Sequence, residues 1–162
     1  MKNDIILVYT DGSLVKKDGK TFCGYGIYFP NGEYKSISRK FIHGPITNNR
    51  AELYAILKTL VICNIINLER VKNNQEQIKQ VNIYSDSEYS VKTFNIWLPK
   101  WKLTKKVYLN PDIINEIDIH LKMAPFKVVF THIRAHTGKS DTHSIGNDIA
   151  DGLAKKGAFR VK

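Results

Sequence analysis

Cysteine is scarce in this chain: Cys23 and Cys63 are the only two among 162 residues. Both sit within apolar segments and lack metal-type spacing, so buried free thiols are expected rather than a disulfide or a zinc centre. Long apolar runs are missing as well. No stretch approaches the roughly 18 consecutive apolar residues of a membrane span, and the opening Met-Lys-Asn-Asp lacks the apolar core of a signal peptide. A soluble intracellular protein that uses no membrane is the expectation. Internal repeats, low-complexity tracts and breaks in composition are also absent, which reads as a single domain over residues 1–162.

Negative charge is the minority, with 15 Asp and Glu against 25 Lys and Arg, for a net charge of +10. A field of that sign attracts polyanions such as nucleic acid. Location is more telling than the total. Lys100, Trp101, Lys102, Lys105 and Lys106 fall close together with no acid among them. A second concentration, Lys155, Lys156, Arg160 and Lys162, reads as a solvated C-terminal helix end, where cations suit the helix dipole.

The few acids fall at particular junctions. Ile5 to Tyr9 is an apolar run rich in β-branched and aromatic residues, and it reads as a buried strand that ends at Thr10-Asp11-Gly12-Ser13. Glu52, Asp86 and Asp151 likewise stand where an apolar segment meets a polar loop or a helix end. Each has a plainer explanation. Asp11-Gly12 suits a turn, Glu52 three residues after Asn49 suits a capping box, Asp86 between two serines suits a helix cap, and Asp151 four residues before Lys155 suits an ion pair. Four acids at comparable junctions point instead to one converging cluster.

Taken in order, a polar loop (14–20) should lead to a second strand over 21–30. Asn31-Gly32 then marks a hairpin, and a third strand over 33–42 completes an antiparallel meander. Gly24 and Gly26 inside the second strand imply close backbone approach or a bulge. From Arg50, the spacing of Leu53, Ile56, Leu57, Leu60 and Val61 predicts an amphipathic helix with Glu52 in its first turn, fraying into a polar loop over 64–80. Residues 81–84 form a short strand ending in Ser85-Asp86-Ser87, parallel to the first because strand and helix now alternate. A helix over 88–97 should stop at Pro99, a further helix opens at Asn110-Pro111, and 126–133 is the last strand. A polar loop over 134–146 carries His136 and His143, and a closing helix spans 147–158.

Carboxylates without a convincing Cys or multi-His set favour hard divalent cations such as Mg²⁺, which prefer oxygen ligands. The partner implied by the basic segment is a phosphodiester, and two ions roughly 3.5–4 Å apart can activate a water and stabilise the leaving oxygen. Beside this reading stand five ordered motifs. They are Tyr9-Thr10-Asp11-Gly12-Ser13, Thr47-Asn48-Asn49-Arg50-Ala51-Glu52-Leu53, Ser85-Asp86-Ser87, His136-Thr137-Gly138, and Gly146-Asn147-Asp148-Ile149-Ala150-Asp151. Together they resemble type 1 ribonuclease H, over essentially the whole chain.

The resemblance implies an α/β fold with a five-stranded mixed sheet, an antiparallel meander plus parallel strands, flanked by helices. It also implies Mg²⁺-dependent cleavage of the RNA strand of RNA/DNA hybrids, with two ions per site when substrate is bound and Mn²⁺ as a substitute. The products carry 5′-phosphate and 3′-hydroxyl ends. By position, Asp11, Glu52, Asp86 and Asp151 resemble the family's metal ligands, and His136 its proton-moving histidine. Asn48 and Asn49 resemble readers of the RNA minor groove, where 2′-hydroxyls mark RNA. Thr47 and Asn110 resemble a DNA-phosphate pocket, and Lys100, Trp101, Lys102, Lys105 and Lys106 a basic protrusion that grips the DNA strand. Trp97 fits a core staple beneath that segment. A monomer without a separate hybrid-binding domain or protein partner is expected. The alternatives are a ribonuclease H domain from a reverse transcriptase or retroelement, and a catalytically weak hybrid-binding module.

Overall fold

The computed structural model describes residues 3–161. Five strands, β1 (Ile5–Lys17), β2 (Lys20–Tyr28), β3 (Ile37–Lys40), β4 (Gln80–Ser85) and β5 (Lys127–His132), form one sheet in the order β3-β2-β1-β4-β5. The pairs β1/β2 and β2/β3 are antiparallel, while β1/β4 and β4/β5 are parallel, so the expected mixed sheet is present. Helix α1 (Asn48–Lys72) connects the meander to β4. A second helical passage comprises α2 (Glu88–Lys92), a π-helical turn (Thr93–Trp97) and α3 (Leu98–Thr104), and it is followed by α4 (Pro111–Met123) and α5 (Thr142–Ala158).

The first strand does not stop at Asp11. It continues to Lys17, paired with β2 from Tyr9↔Tyr28 to Lys17↔Lys20, and the hairpin is made by Asp18 and Gly19 at φ 53° and 73°. Two successive positive-φ residues give the turn a twist that matches the flanking strands. The anticipated loop is therefore strand. Conversely, β3 covers only four residues, because Gly32 N–H closes a turn onto the Phe29 carbonyl and the chain bends before Ile37.

Three helix boundaries also differ from expectation. Helix α1 runs through the supposed fraying region because its polar residues are used: Asn67 accepts from Ile78 N–H at 2.7 Å and Arg70 donates to the Asn3 carbonyl at 2.6 Å. It alone among the described residues is long and apolar enough to cross a membrane, yet Leu53, Ile56, Leu60 and Cys63 are buried in the core. Pro99 does not end its helix, because the π turn before it shifts the bonding so that Leu98 N–H donates to the Thr93 carbonyl. Wider turns of this kind absorb a residue that cannot donate. Helix α5 begins five residues before Asn147, capped by Asp141, whose carboxylate accepts from Ser144 N–H.

Helices α1 and α5 cover opposite faces of the sheet. A Cβ on Gly12 would meet Glu52 N at 2.5 Å, whereas one on Gly26, opposite Asp11, would meet the Ala150 carbonyl at 2.5 Å. Close helix approach explains the strand glycines. Between these layers Ile6, Val8, Ile27, Ile56, Ile83 and Ile114 are fully buried, each removing apolar surface worth about 1.5–3 kcal/mol.

Candidate active site

The parallel partner of β1 ends early. Thr10↔Ser85 is the last pair between β1 and β4, so the flank of β1 is open from Asp11 onward and side chains from both faces can meet there. Asp11 comes from β1, Glu52 from the second turn of α1, and Asp86 from the residue after β4. One carboxylate oxygen from each lies within 4.8 Å of the others. Asp11 and Glu52 are each only 3% exposed.

Gly12 N–H donates to Glu52 Oε1 at 2.7 Å and is also 3.0 Å from Asp11 Oδ1, while Glu52 Oε2 is buried without a partner. The capping role considered for Glu52 belongs elsewhere: Thr47 Oγ1 accepts from Arg50 N–H and caps α1. Burial raises the proton affinity of both acids, and the Glu52 carboxylate adds to the rise at Asp11. Crowded, desolvated carboxylates with an orphaned oxygen fit a hard divalent cation, whose charge offsets what burial and repulsion cost.

Asp151 stands outside the tight trio. It raises the proton affinity of Asp11 from the α5 side, and its own carboxylate pairs with Lys155 Nζ at 3.0 Å. The ion pair, weighed as the plainer explanation for Asp151, is present, and Asp151 is not among the three acids whose oxygens lie within 4.8 Å of one another. Asn147, one turn earlier, is 1% exposed with neither side-chain polar atom partnered.

His136 is exposed, with φ at 52°, in the loop after β5. His143 is not in that loop. It lies in the first turn of α5 with Nδ1 hydrogen-bonded to the Tyr9 hydroxyl at 2.8 Å and its ring against Tyr84. Asn48 and Asn49 are exposed at the start of α1, next to the capping Thr47. Asn110, at φ 56°, donates to the Tyr89 hydroxyl and approaches Arg50 Nη1 at 3.4 Å. Arg50 thus ties the Thr47 and Asn110 segments together. The residue stands inside the second motif, but nothing in its type or spacing marks it as an organiser.

The basic segment divides. Lys102 Nζ pairs with Asp118 at 2.6 Å, whereas Lys100, Lys105 and Lys106 are exposed and have no acidic partner among the described residues. Trp101 stacks between Trp97 and Tyr108 at ring-centroid distances of 5.9 and 5.0 Å, and with Tyr89 and Leu109 they line a groove of about 720 Å³. Trp97 is half-buried in this stack, consistent with a staple. In the second basic concentration, Lys155 is engaged with Asp151 and Arg160 donates to Ser38 Oγ at 3.0 Å, and Lys162 lies outside the described residues. Both cysteines are buried free thiols.

A mixed sheet whose central strand carries an acid into an open flank, met by acids from a helix and a neighbouring strand end, defines a ribonuclease H-like fold with a carboxylate site. The RNase H family model matches residues 3–159, and the chain belongs to that family. It is 38% identical over 145 residues to a "Probable ribonuclease H" of Acanthamoeba polyphaga mimivirus, covering 85% of this chain and 59% of that protein. Against the "Ribonuclease H" of Schizosaccharomyces pombe it is 32% identical over 161 residues, covering 96% of this chain and 54% of the relative. The chain thus spans little more than half the length of these two. Among solved structures, the PFV RNase H domain superposes with a TM-score of 0.66 at 26% identity, covering 95% of this chain and 94% of that one.

Proposed function

We propose that this chain is an endoribonuclease that hydrolyses the RNA strand of RNA/DNA hybrids by a two-metal-ion mechanism, leaving 5′-phosphate and 3′-hydroxyl ends. The observation that carries the reading is the acid trio, two of whose members are buried and none of which forms an ion pair with a basic side chain among the described residues. Asp11, Glu52, Asp86 and Asp151 would hold the ions. Mg²⁺, or Mn²⁺ in its place, supplies the charge that activates water and stabilises the leaving oxygen in an in-line displacement.

The remaining roles fall to residues around the acids. Gly12 N–H fixes Glu52 Oε1 and leaves Oε2 for a cation. His136, exposed in the loop after β5, would move a proton or assist product departure, a contribution typically of about 10²–10⁴ in rate. Asn48 and Asn49 present amides at the α1 start, suited to 2′-hydroxyl recognition. Thr47 and Asn110, linked through Arg50, would meet a DNA phosphate, and Lys100, Trp101, Lys105 and Lys106 would grip the DNA strand by charge and stacking, with Lys102, paired to Asp118 at 2.6 Å, adding little. The same reading takes residues 1–162 as one catalytic domain acting as a monomer without a protein partner.

A gel comparing a hybrid with double-stranded RNA and double-stranded DNA, in Mg²⁺, Mn²⁺ or chelator, tests it. Cutting confined to the RNA of the hybrid and abolished by chelator is expected. Equal cutting of DNA duplex, or full activity in chelator, overturns the proposal. Likeness to the foamy viral protease-reverse transcriptase, with a TM-score of 0.68 at 25% identity, favours a second reading, a domain working within a reverse transcriptase. Efficient cleavage by the chain alone decides against that dependence.

A further inference from the structure

We infer that Tyr9 and His143 form a strap that positions the His136 loop, so that His143 is a positioning residue for cleavage. The inference rests on the proposed reading of the site and assigns a role to a contact which that reading leaves unused. Tyr9 is fully buried in β1, two residues before Asp11, and its phenol would be a stranded polar group without a partner. His143 Nδ1 supplies that partner at 2.8 Å.

The ring geometry fixes the pair from three sides. Tyr9 stacks on Tyr84 at 5.1 Å, His143 packs on Tyr84 at 4.5 Å, and a Cβ on Gly146 would meet the Tyr9 ring at 2.6 Å. The first turn of α5 therefore seats directly on the strand that carries Asp11. Gly146 lets it come that close.

From that turn the connection continues to the loop. Ser144 donates its single hydroxyl proton to Asp141 Oδ1 at 2.6 Å, so the 2.6 Å contact with Thr137 is a bond donated by the Thr137 hydroxyl. Thr137 Oγ1 in turn accepts from Lys139 N–H at 3.2 Å. Thr137 directly follows His136, whose positive φ needs support from its surroundings. A continuous chain of contacts thus runs from the Tyr9 hydroxyl through His143, Ser144 and Thr137 to the backbone of His136.

The strap acts on geometry, so its loss should slow chemistry without weakening substrate binding. Tyr9→Phe removes one oxygen and keeps the ring, and His143→Ala removes the partner. Each is expected to lower the single-turnover rate on an RNA/DNA hybrid by about 2- to 10-fold, the equivalent of one neutral hydrogen bond. Hybrid affinity should be unchanged, and His143→Gln, which can still meet the phenol, should recover most of the rate. In a His136→Ala background, neither Tyr9→Phe nor His143→Ala should slow the enzyme further, because the group being positioned is gone. A purely structural role predicts the same fractional loss in both backgrounds, and that result overturns the inference. So do wild-type rates for Tyr9→Phe and His143→Ala, or a His136→Ala protein as fast as wild type. These failures leave the acid site untouched, since Asp86→Asn judges it separately. A wild-type chain that cuts no hybrid overturns the functional reading and the strap with it.

Discussion

Arg50 and Glu52 lie two residues apart in α1 and are 4% and 3% exposed, yet the fold treats their charges in opposite ways. Arg50 is neutralised: Asp112 grips it with two bonds of 2.8 and 2.7 Å, and the His43 carbonyl takes a third at 3.1 Å. Glu52 receives one backbone N–H and sits against two more carboxylates. A charge closed within the fold is costly to unpair, because removing its partner leaves an uncompensated buried charge. A charge left open stores an unfavourable interaction that a bound cation can relieve. The contrast separates a fastener from a site without reference to any relative.

The largest effect should come from the open side. Asp86→Asn removes a negative charge from an area that has too many, so the rate should fall by at least about 10²–10³, the scale of losing a positioned electrostatic group. Stability should hold or rise. Cleavage assays with circular dichroism melts check both, and an unfolded variant would class Asp86 with the fasteners.

The closed side should respond in the other currency. Asp112→Ala leaves the Arg50 guanidinium buried and unpaired. Breaking a fully buried pair costs about 3–5 kcal/mol, but Asp112 is 62% exposed, which screens its half of the pair. About 1–3 kcal/mol is expected after that discount. Denaturant melts read it directly, and a loss of rate per folded molecule as large as that of Asp86→Asn would erase the distinction.

Acidity sharpens the comparison because the two shifts have opposite signs. Arg50 holds the Asp112 carboxyl down at about 2, so this group stabilises the fold above the ordinary carboxylate range near 4 and loses that contribution as pH falls towards 2. Burial pushes Glu52, beside the still more strongly raised Asp11, well above its ordinary range, so the folded state binds more protons than the unfolded one over a window that opens at about 4 and runs through neutral pH. Metal-free stability from this group is therefore lost as pH rises through that window. Mg²⁺ should raise the melting temperature more at pH 8 than at pH 5. An equal shift at both values would mean that the cation does not bind these carboxylates.

The same physics explains what was legible in the sequence. The acids could be found because charge at the end of an apolar run is costly unless used, and the meander and the parallel pairing of the fourth strand with the first followed from turn signals and from the alternation of strand and helix. Boundaries failed where tertiary pairing outranked local pattern. The β1 segment after Asp11 is polar, yet β2 holds it in the sheet through Lys17. Pro99 is an ordinary stop signal, overruled by a π turn. His143 read as a loop residue because its partner, Tyr9, is 134 residues away. Arg50 was invisible for a similar reason, since Asp112 arrives from α4.

The smallest effect tests whether open and closed charges can be told apart on the substrate-facing surface. Lys102 and Lys105 are neighbours in the basic segment, but Lys102 is spent on Asp118 at 2.6 Å while Lys105 caps α3 in a left-handed conformation and has no acidic partner among the described residues. Neutralising a phosphate releases counterions, contributing about −0.9 to the log-log salt slope for each contact on a duplex. A lysine already paired with a carboxylate brings little net charge to a phosphate. Lys105→Ala and Lys106→Ala should each flatten the slope of hybrid binding by up to about one contact, whereas Lys102→Ala should barely change it and cost the fold only about 0–1 kcal/mol. Binding titrations over a series of salt concentrations decide this. If Lys102→Ala flattens the slope as much as Lys105→Ala, then Asp118 gives up its lysine when the hybrid arrives, and the contact is an exchangeable one.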